Sequence, residues 1–450
     1  MFKNQYKFIF YPAIVFIGML FAVGATAQTT QTAHAGSHER FIDKMNGTTA
    51  DDAVAAAIKN NAEVEAMRKE AEAGEALVKQ ARLRANPSLD VSGTKQTNGV
   101  DNSFMIEGGI PLELGGRRGT RIRVAERELE IRKLAVAERE RQIAAEVRTK
   151  FGEALAATLK LKFIEEMLMA ATENYELVSA QVDEGRKPPL ERNLELVELN
   201  RIRGLRETSE GEAEIKMLEL RNLLGMNPEE PLRLKGDFDN LVVTLPTQGE
   251  ATQQALQSRT DLAGARAVEK LAAARTDQAR AEGRIDADVM LGYQKMRTSF
   301  SMFGFDEAGM LMPIDMRSNS FTFGVRLTLP VTNRNQGMIA ASILEEEAAA
   351  KRREFGELTV RREVAAAYVK YNRSVRAEQI YRVGVRDQAA ANLSVVRETY
   401  ELGSKTLLDY IAELRRYIDT ETGFIDAQAE AYQARIEVLR VTNAPELIKR

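Results

Sequence analysis

A chain of 450 residues with 63 basic and 66 acidic side chains carries a formal net charge of -3, so it lacks the broad basic field that nucleic-acid binding needs. The absence of cysteine and the presence of only two histidines, His34 and His38, exclude disulfides and thiol nucleophiles and leave little room for zinc chemistry. Aromatic residues are 6% and charged residues 29%, a composition suited to long helices rather than an aromatic-rich globular core.

The chain opens with Lys3 and Lys7, an apolar run from Phe8 to about Val23, and the small-x-small site Ala25-Thr26-Ala27. That order predicts a secretory signal over 1–27 with cleavage after Ala27. Ala33-His34-Ala35 is a second cleavage candidate, and an uncleaved membrane anchor is the competing reading. Residues 28–50, polar and rich in Gly and Thr around the two histidines, are expected to form a flexible leader.

From residue 51 onward one plan is used twice. Gln80-Ala81-Arg82 recurs as Gln278-Ala279-Arg280, Ser103-Phe104 as Ser320-Phe321, Pro111 as Pro330, and Gly119 as Gly337. Glu146-Val147 with Phe151 recurs as Glu363-Val364 with Tyr368, and Gly185 as Gly403. Two tandem repeats, 51–226 and 248–450, are therefore expected, joined by a Pro/Gly-containing linker at 227–247.

In the first repeat, Asp51 or Asp52 caps a helix predicted to run to about Arg84. Strands are predicted near 87–96 and 102–113, then a long helix over 118–184 and its partner over 189–226. The second repeat predicts a helix over 248–283, strands near 284–297 and 318–332, and helices over 336–402 and 405–442. At 1.5 Å per residue, helices of ~65 residues reach roughly 100 Å. Ile122, Leu129, Val136 and Ile143 recur every seven residues, a coiled-coil seam.

The strands carry the functional signal. Phe321, Phe323, Val325, Leu327, Leu329 and Val331 alternate with Ser320, Thr322, Gly324, Arg326, Thr328 and Pro330. Ile285, Ala287, Val289, Leu291 and Tyr293 alternate with mostly polar neighbours, and Phe104, Ile106 and Ile110 do so less cleanly. Period-two apolarity of this kind fits a transmembrane β-barrel, and equally a half-buried soluble sheet. A small sheet interrupting very long helices has little soluble core to cover, which favours lipid. Four strands cannot close a barrel when known bacterial ones begin at about eight, so several chains must share one. The segment from Arg297 to Ser318 is read as a long external loop, and Gln96 to Asp101 as a short one.

The duplicated plan, with the turn Tyr400-Glu401-Leu402-Gly403-Ser404-Lys405-Thr406-Leu407-Leu408-Asp409, resembles the TolC-type outer membrane efflux proteins across essentially the whole mature sequence. The first-repeat turn, Glu184-Gly185-Arg186-Lys187-Pro188-Pro189-Leu190-Glu191-Arg192-Asn193, resembles their heavy-metal-efflux, CzcC-type branch. The resemblance implies a mainly α chain forming a homotrimer, with a shared twelve-stranded outer-membrane barrel and a long periplasmic α-barrel. It implies as partners outer-membrane lipid, a periplasmic adaptor and an inner-membrane efflux pump of the RND type. It also implies that the turns lie at the periplasmic tip, where Tyr400 and a basic residue, here Lys405, hold a closed state and Asp409 lines the constriction. The family's second gate acid falls on Ala412, which leaves a double acid ring of that form in doubt.

The repeat adds its own candidates. Glu191 and Asp409 each lie six positions after a turn glycine, and Glu195 and Glu413 ten positions after it. Each pair is spaced by four, on one helical face, where copies would form cation-attracting rings. Acids in a helix's first turns also simply favour its dipole. Gly185 and Gly403 mark the turns, and Pro188 and Pro189 stiffen the first of them. The expected function is a passive duct with no cofactor and no catalytic group. A coiled-coil periplasmic adaptor and a type I secretion outer-membrane component are the alternatives.

Overall fold

A computed structural model describes residues 37–239 and 245–448; the predicted signal 1–27 and His34 lie outside the described residues. Local capping chemistry sets where the helices begin. Thr49, rather than Asp51 or Asp52, is the N-cap of α1 (Ala50–Asn60): its hydroxyl accepts from the Asp52 N–H while Asp52 accepts from the Thr49 N–H. The single helix predicted for 51–84 is divided at Asn61, whose side chain accepts from the Val64 N–H and starts α2 (Ala62–Arg82). The second repeat is divided at the matching place, Arg259, without a side-chain cap, between α5 (Gln248–Ser258) and α6 (Thr260–Glu282). The buried Arg259 spans Asp261 and Glu363, so this break is held from both sides.

In the first repeat α3 (Arg117–Asp183) runs unbroken for 67 residues and returns as α4 (Pro189–Leu224). In the second, α7 (Gln336–Ile380) passes through a π-helical stretch, Tyr381–Arg386, into α8 (Asp387–Glu401), and α9 (Leu407–Thr442) returns. The π stretch accounts for a detail of the duplication. Glu146 recurs at Glu363, an offset of 217, whereas Gly185 recurs at Gly403, an offset of 218. One residue is gained between them, and a π-bulge is how a helix absorbs one extra residue.

Four strands form one antiparallel sheet in the order β1 (Ser88–Lys95), β2 (Asn102–Pro111), β3 (Asp286–Phe305), β4 (Leu311–Thr328). The register aligns Val91, Ile106, Tyr293 and Phe321 across all four. One face is therefore apolar and solvent-facing in the single chain, with Phe321 82% and Phe323 85% exposed. The predicted external loop 297–318 is mostly strand, Thr298 pairing Met316 and Phe305 pairing Leu311, with an irregularity between Ser299 and Phe303. Apolar alternation stops there, but backbone ladders do not depend on side-chain polarity. Only the Asp306–Met310 turn is loop; Asp306 accepts from the Ala308 and Met310 N–H groups, and Gly309 takes φ +77°.

The main core lies where α1, α3, α4 and α9 meet, around Val54, Phe151, Leu155, Leu220 and Ile436. A smaller one joins α5, α7 and α9 through Val364, Tyr368 and Val438. The expectation of a flexible leader over 28–50 fails from Ser37 onward. Phe41 is buried, Ser37 and His38 bond the Glu165 carboxylate on α3, and Ile42 and Thr48 bridge in parallel to Leu234. The linker supplies Leu232, Leu234 and Phe238 to the same core. Short apolar alternation inside polar stretches is the signal, and here it staples leader and linker together. No described helix is long and apolar enough to cross a membrane.

Candidate functional site

Each long helical hairpin turns on a glycine in the left-handed region, Gly185 at φ +73° and Gly403 at φ +77°. Gly185 N–H donates to Val182 O at 2.9 Å and Arg186 N–H to Gln181 O at 2.8 Å; Gly403 N–H donates to Tyr400 O and Ser404 N–H to Thr399 O, both at 2.9 Å. These are the paired bonds of a Schellman ending, and every partner is displaced by 218 positions between the repeats. The backbone duplication is thus complete at the turns.

The side chains are not duplicated. Thr406 caps α9 with a reciprocal box, and the Asp409 carboxylate accepts from the Thr406 N–H at 3.0 Å and hydroxyl at 2.8 Å. Those bonds hold the Asp409 carboxyl below its ordinary range. In α4 the cap position is Pro188, with Pro189 at the first helical position and no side-chain cap. Glu191, at the place of Asp409, is left free to reach across to the other repeat. The Tyr400 hydroxyl donates to Glu191 Oε2 at 2.8 Å. Lys187 Nζ lies 3.1 Å from the same oxygen, donates to the Tyr400 hydroxyl, and stands 4.3 Å from the Tyr400 ring centroid. Tyr400 stacks on Tyr410, with centroids 5.9 Å apart at 10°. Burial, then the Glu191 carboxylate, raises the Tyr400 phenol above its ordinary value, so it stays a donor.

The resemblance assigned the basic partner of Tyr400 to Lys405. In this chain Lys187 holds that place, while Lys405 is exposed and forms no ion pair among the described residues. The reason lies in the duplication: the counterpart of Tyr400 beside Lys405 is Val182, which offers no hydroxyl.

Glu195 and Glu413 require a correction as well. Both are buried inside the subunit, 3% and 7% exposed, so neither can contribute a charged ring to a duct. Being four residues from Glu191 or Asp409 puts each on a shared helical stripe, but the first turn is splayed while the second is packed. Glu413 accepts from Arg416 Nη1 at 2.6 Å. Glu195 accepts from Asn174 Nδ2 at 2.8 Å and forms no ion pair among the described residues, since Glu198 stands where the second repeat has Arg416. Burial raises its carboxyl to about 7, and the neighbouring Glu198 and Glu191 add to the shift. Glu198, fully enclosed, is paired with Arg201 and, across the repeats, with Arg415 Nη2 at 2.7 Å. Gly185, Pro188, Pro189 and Gly403 all lie in the two turns. Among the described residues no group of three or more histidines and carboxylates is arranged to hold a metal ion.

An apolar-faced sheet on long duplicated helices, whose two turns are cross-bonded, is the architecture of an export channel. The outer membrane efflux protein family matches residues 53–225 and 251–444, one stretch in each repeat. The cobalt-zinc-cadmium resistance protein CzcC of Cupriavidus metallidurans is 23% identical over 399 residues, covering 87% of this chain and 89% of that protein. Among solved structures, CusC superimposes with a TM-score of 0.71 at 17% identity, covering 87% of this chain and 91% of its own. The open state of the MtrE outer membrane channel of Neisseria gonorrhoeae gives 0.69 at 16%, covering 89% and 90%. The chain belongs to the outer membrane efflux protein family. It is an outer-membrane efflux channel that extends into the periplasm, and the periplasmic-adaptor reading gives way to that one.

Proposed function

We propose that three copies of this chain complete one twelve-stranded barrel in the outer membrane and one helical tube beneath it. The observation carrying this reading is the sheet. It has four strands, its β1 and β4 edges are each paired on one side only, and among the described residues nothing covers its apolar face. Lipid tolerates neither open edges nor so few strands, so neighbouring subunits supply the missing pairs. The tube delivers cargo received at the turns from an inner-membrane pump and a periplasmic adaptor, which provide the energy. The turns act as the gate: the Lys187–Tyr400–Glu191 contact ties the two helical hairpins of one subunit together, and releasing it lets α8 and α9 swing from α3 and α4. The similarity to CzcC favours metal cations as cargo.

Electrophoresis without heating and planar-bilayer recording test the reading together. A compact heat-modifiable oligomer with low resting conductance is expected. A protein that stays monomeric and soluble without detergent overturns it.

A further inference from the structure

At the β1–β2 turn end the apolar face of the sheet meets a row of Lys95, Asn102, Arg297 and Arg317, beyond which only the β3–β4 hairpin continues, with Phe303, Phe305 and Leu311 exposed. Reading one face from the helix-proximal end, Leu89 and Val91 lead to Lys95, Ile110 and Ile106 to Asn102, Leu291 and Tyr293 to Lys295 and Arg297, and Phe323 and Phe321 to Asn319 and Arg317. The register sets Lys95 opposite Asn102, Asn102 opposite Arg297, and Arg297 opposite Arg317, so the row crosses all four strands at one height. Lys295 lies one step below it, opposite Asn319. Directly beneath, Tyr293 and Phe321 pack with centroids 5.2 Å apart, and the Tyr293 hydroxyl donates to Asn319 Oδ1 at 3.2 Å. Aromatic pairs at this position mark the boundary between hydrocarbon and headgroups.

Like charges placed directly across a ladder destabilise it, and the Arg297–Arg317 pair is such a placement. Two acids lie near. Asp315 binds Arg297 through Nε at 2.8 Å, and Asp101 is used by the Ser299 N–H at 2.7 Å. Lys95, Lys295 and Arg317 are exposed and have no acidic partner among the described residues. The row lies at the β1–β2 turn end of the sheet, opposite the ends that join the helices, and therefore on the cell-exterior side when the helices are periplasmic.

We propose that Lys95, Lys295 and Arg317 bind the phosphate groups of an anionic lipid in the outer leaflet, with Arg297 held in place by Asp315. The inference rests on the reading that this face is turned to lipid. An apolar band topped by aromatic rings and then by unpaired cations matches a molecule with acyl chains below and phosphates above. Guanidinium and ammonium groups are the usual phosphate partners, and their alkyl stems reach along the apolar surface to the headgroup level.

The test uses the full-length protein in mild detergent, with lipid A and its dephosphorylated form as probes and native mass spectrometry as the readout. Combined Lys95→Gln, Lys295→Gln and Arg317→Gln should weaken lipid A retention by about fivefold per cation removed, with dephosphorylated lipid A held weakly by both proteins. Equal retention by wild type and variant, or of both lipids by wild type, overturns the proposal. So does displacement of lipid A by millimolar inorganic phosphate, which would mark a free-anion site. If the triple variant does not assemble, Arg317→Gln alone, which spares the Arg297–Asp315 pair, should still lose about fivefold. Failure of wild type to form the heat-modifiable oligomer would instead strike at the barrel, and so separates the two ideas.

Discussion

The two helical turns share the backbone bonds of their glycine endings and almost none of their side-chain bonds. In the second, Thr406 keeps Asp409 on its own helix; in the first, Pro188 stands in the place of Thr406 and releases Glu191 to bind Tyr400 of the other repeat. One layer deeper, Arg416 neutralises Glu413, whereas Glu198 stands in that place beside Glu195. Duplication preserved the scaffold, and divergence at Pro188/Thr406, Val182/Tyr400 and Glu198/Arg416 made one turn self-contained and left the other bonded across the repeats. On the proposed reading, gating resides in where the copies differ.

The comparison breaks most sharply at Lys187. Lys187→Ala removes a charge-assisted contact, and resting conductance in planar bilayers should rise about tenfold, while Lys405→Ala leaves it unchanged. Equal responses from the two lysines would erase the distinction between the turns. Pro188→Thr would sharpen it: a restored cap should draw Glu191 back onto α4 and raise conductance by a few-fold, with helix content unchanged by circular dichroism.

The deeper layer has a pH signature. The buried Glu195 carboxyl lies at about 7 against an ordinary 4.5. Below the lower value both folded and unfolded chains are protonated; between the two, only the folded chain keeps the proton, so stability falls as pH rises through that window, by roughly 3 kcal/mol. Glu195→Gln should flatten the thermal-melting profile across this range. A slope that survives the substitution assigns it to another group. The smallest effect is expected at Asp409, already screened by water: Asp409→Ala should lower cation over anion permeability by no more than about twofold.

Much of this was legible beforehand. The seven-residue seam from Ile122 to Ile143 and the alternation from Phe321 onward are local patterns, and the long helices and strands follow them. The strand extension beyond Arg297 was hidden because charged side chains end the pattern while the ladder continues. Lys187 was missed because its partner Tyr400 is 213 residues away, and sequence spacing says nothing about which hairpins touch. A signal existed nonetheless. Aligning the repeats sets Pro188 against Thr406 and Val182 against Tyr400, which already points to Lys187 rather than Lys405 as the partnered cation. The burial of Glu195 and Glu413 carried no such mark, since acids crowd every exposed face of these helices.

The single residue absorbed at Tyr381–Arg386 has a geometric sequel. In an unbroken α-helix one added residue would turn everything beyond it by about 100°; the π-helical turn takes that residue up locally, so Asp387 onward keeps the phase of its counterpart in α3. Hairpins built to one plan thereby keep their matching faces despite the extra residue. The widened turn is also where the regular hydrogen-bond pattern gives way, so bending of the second hairpin is expected to concentrate at Tyr381–Arg386, and that of the unbroken α3 to spread along its length.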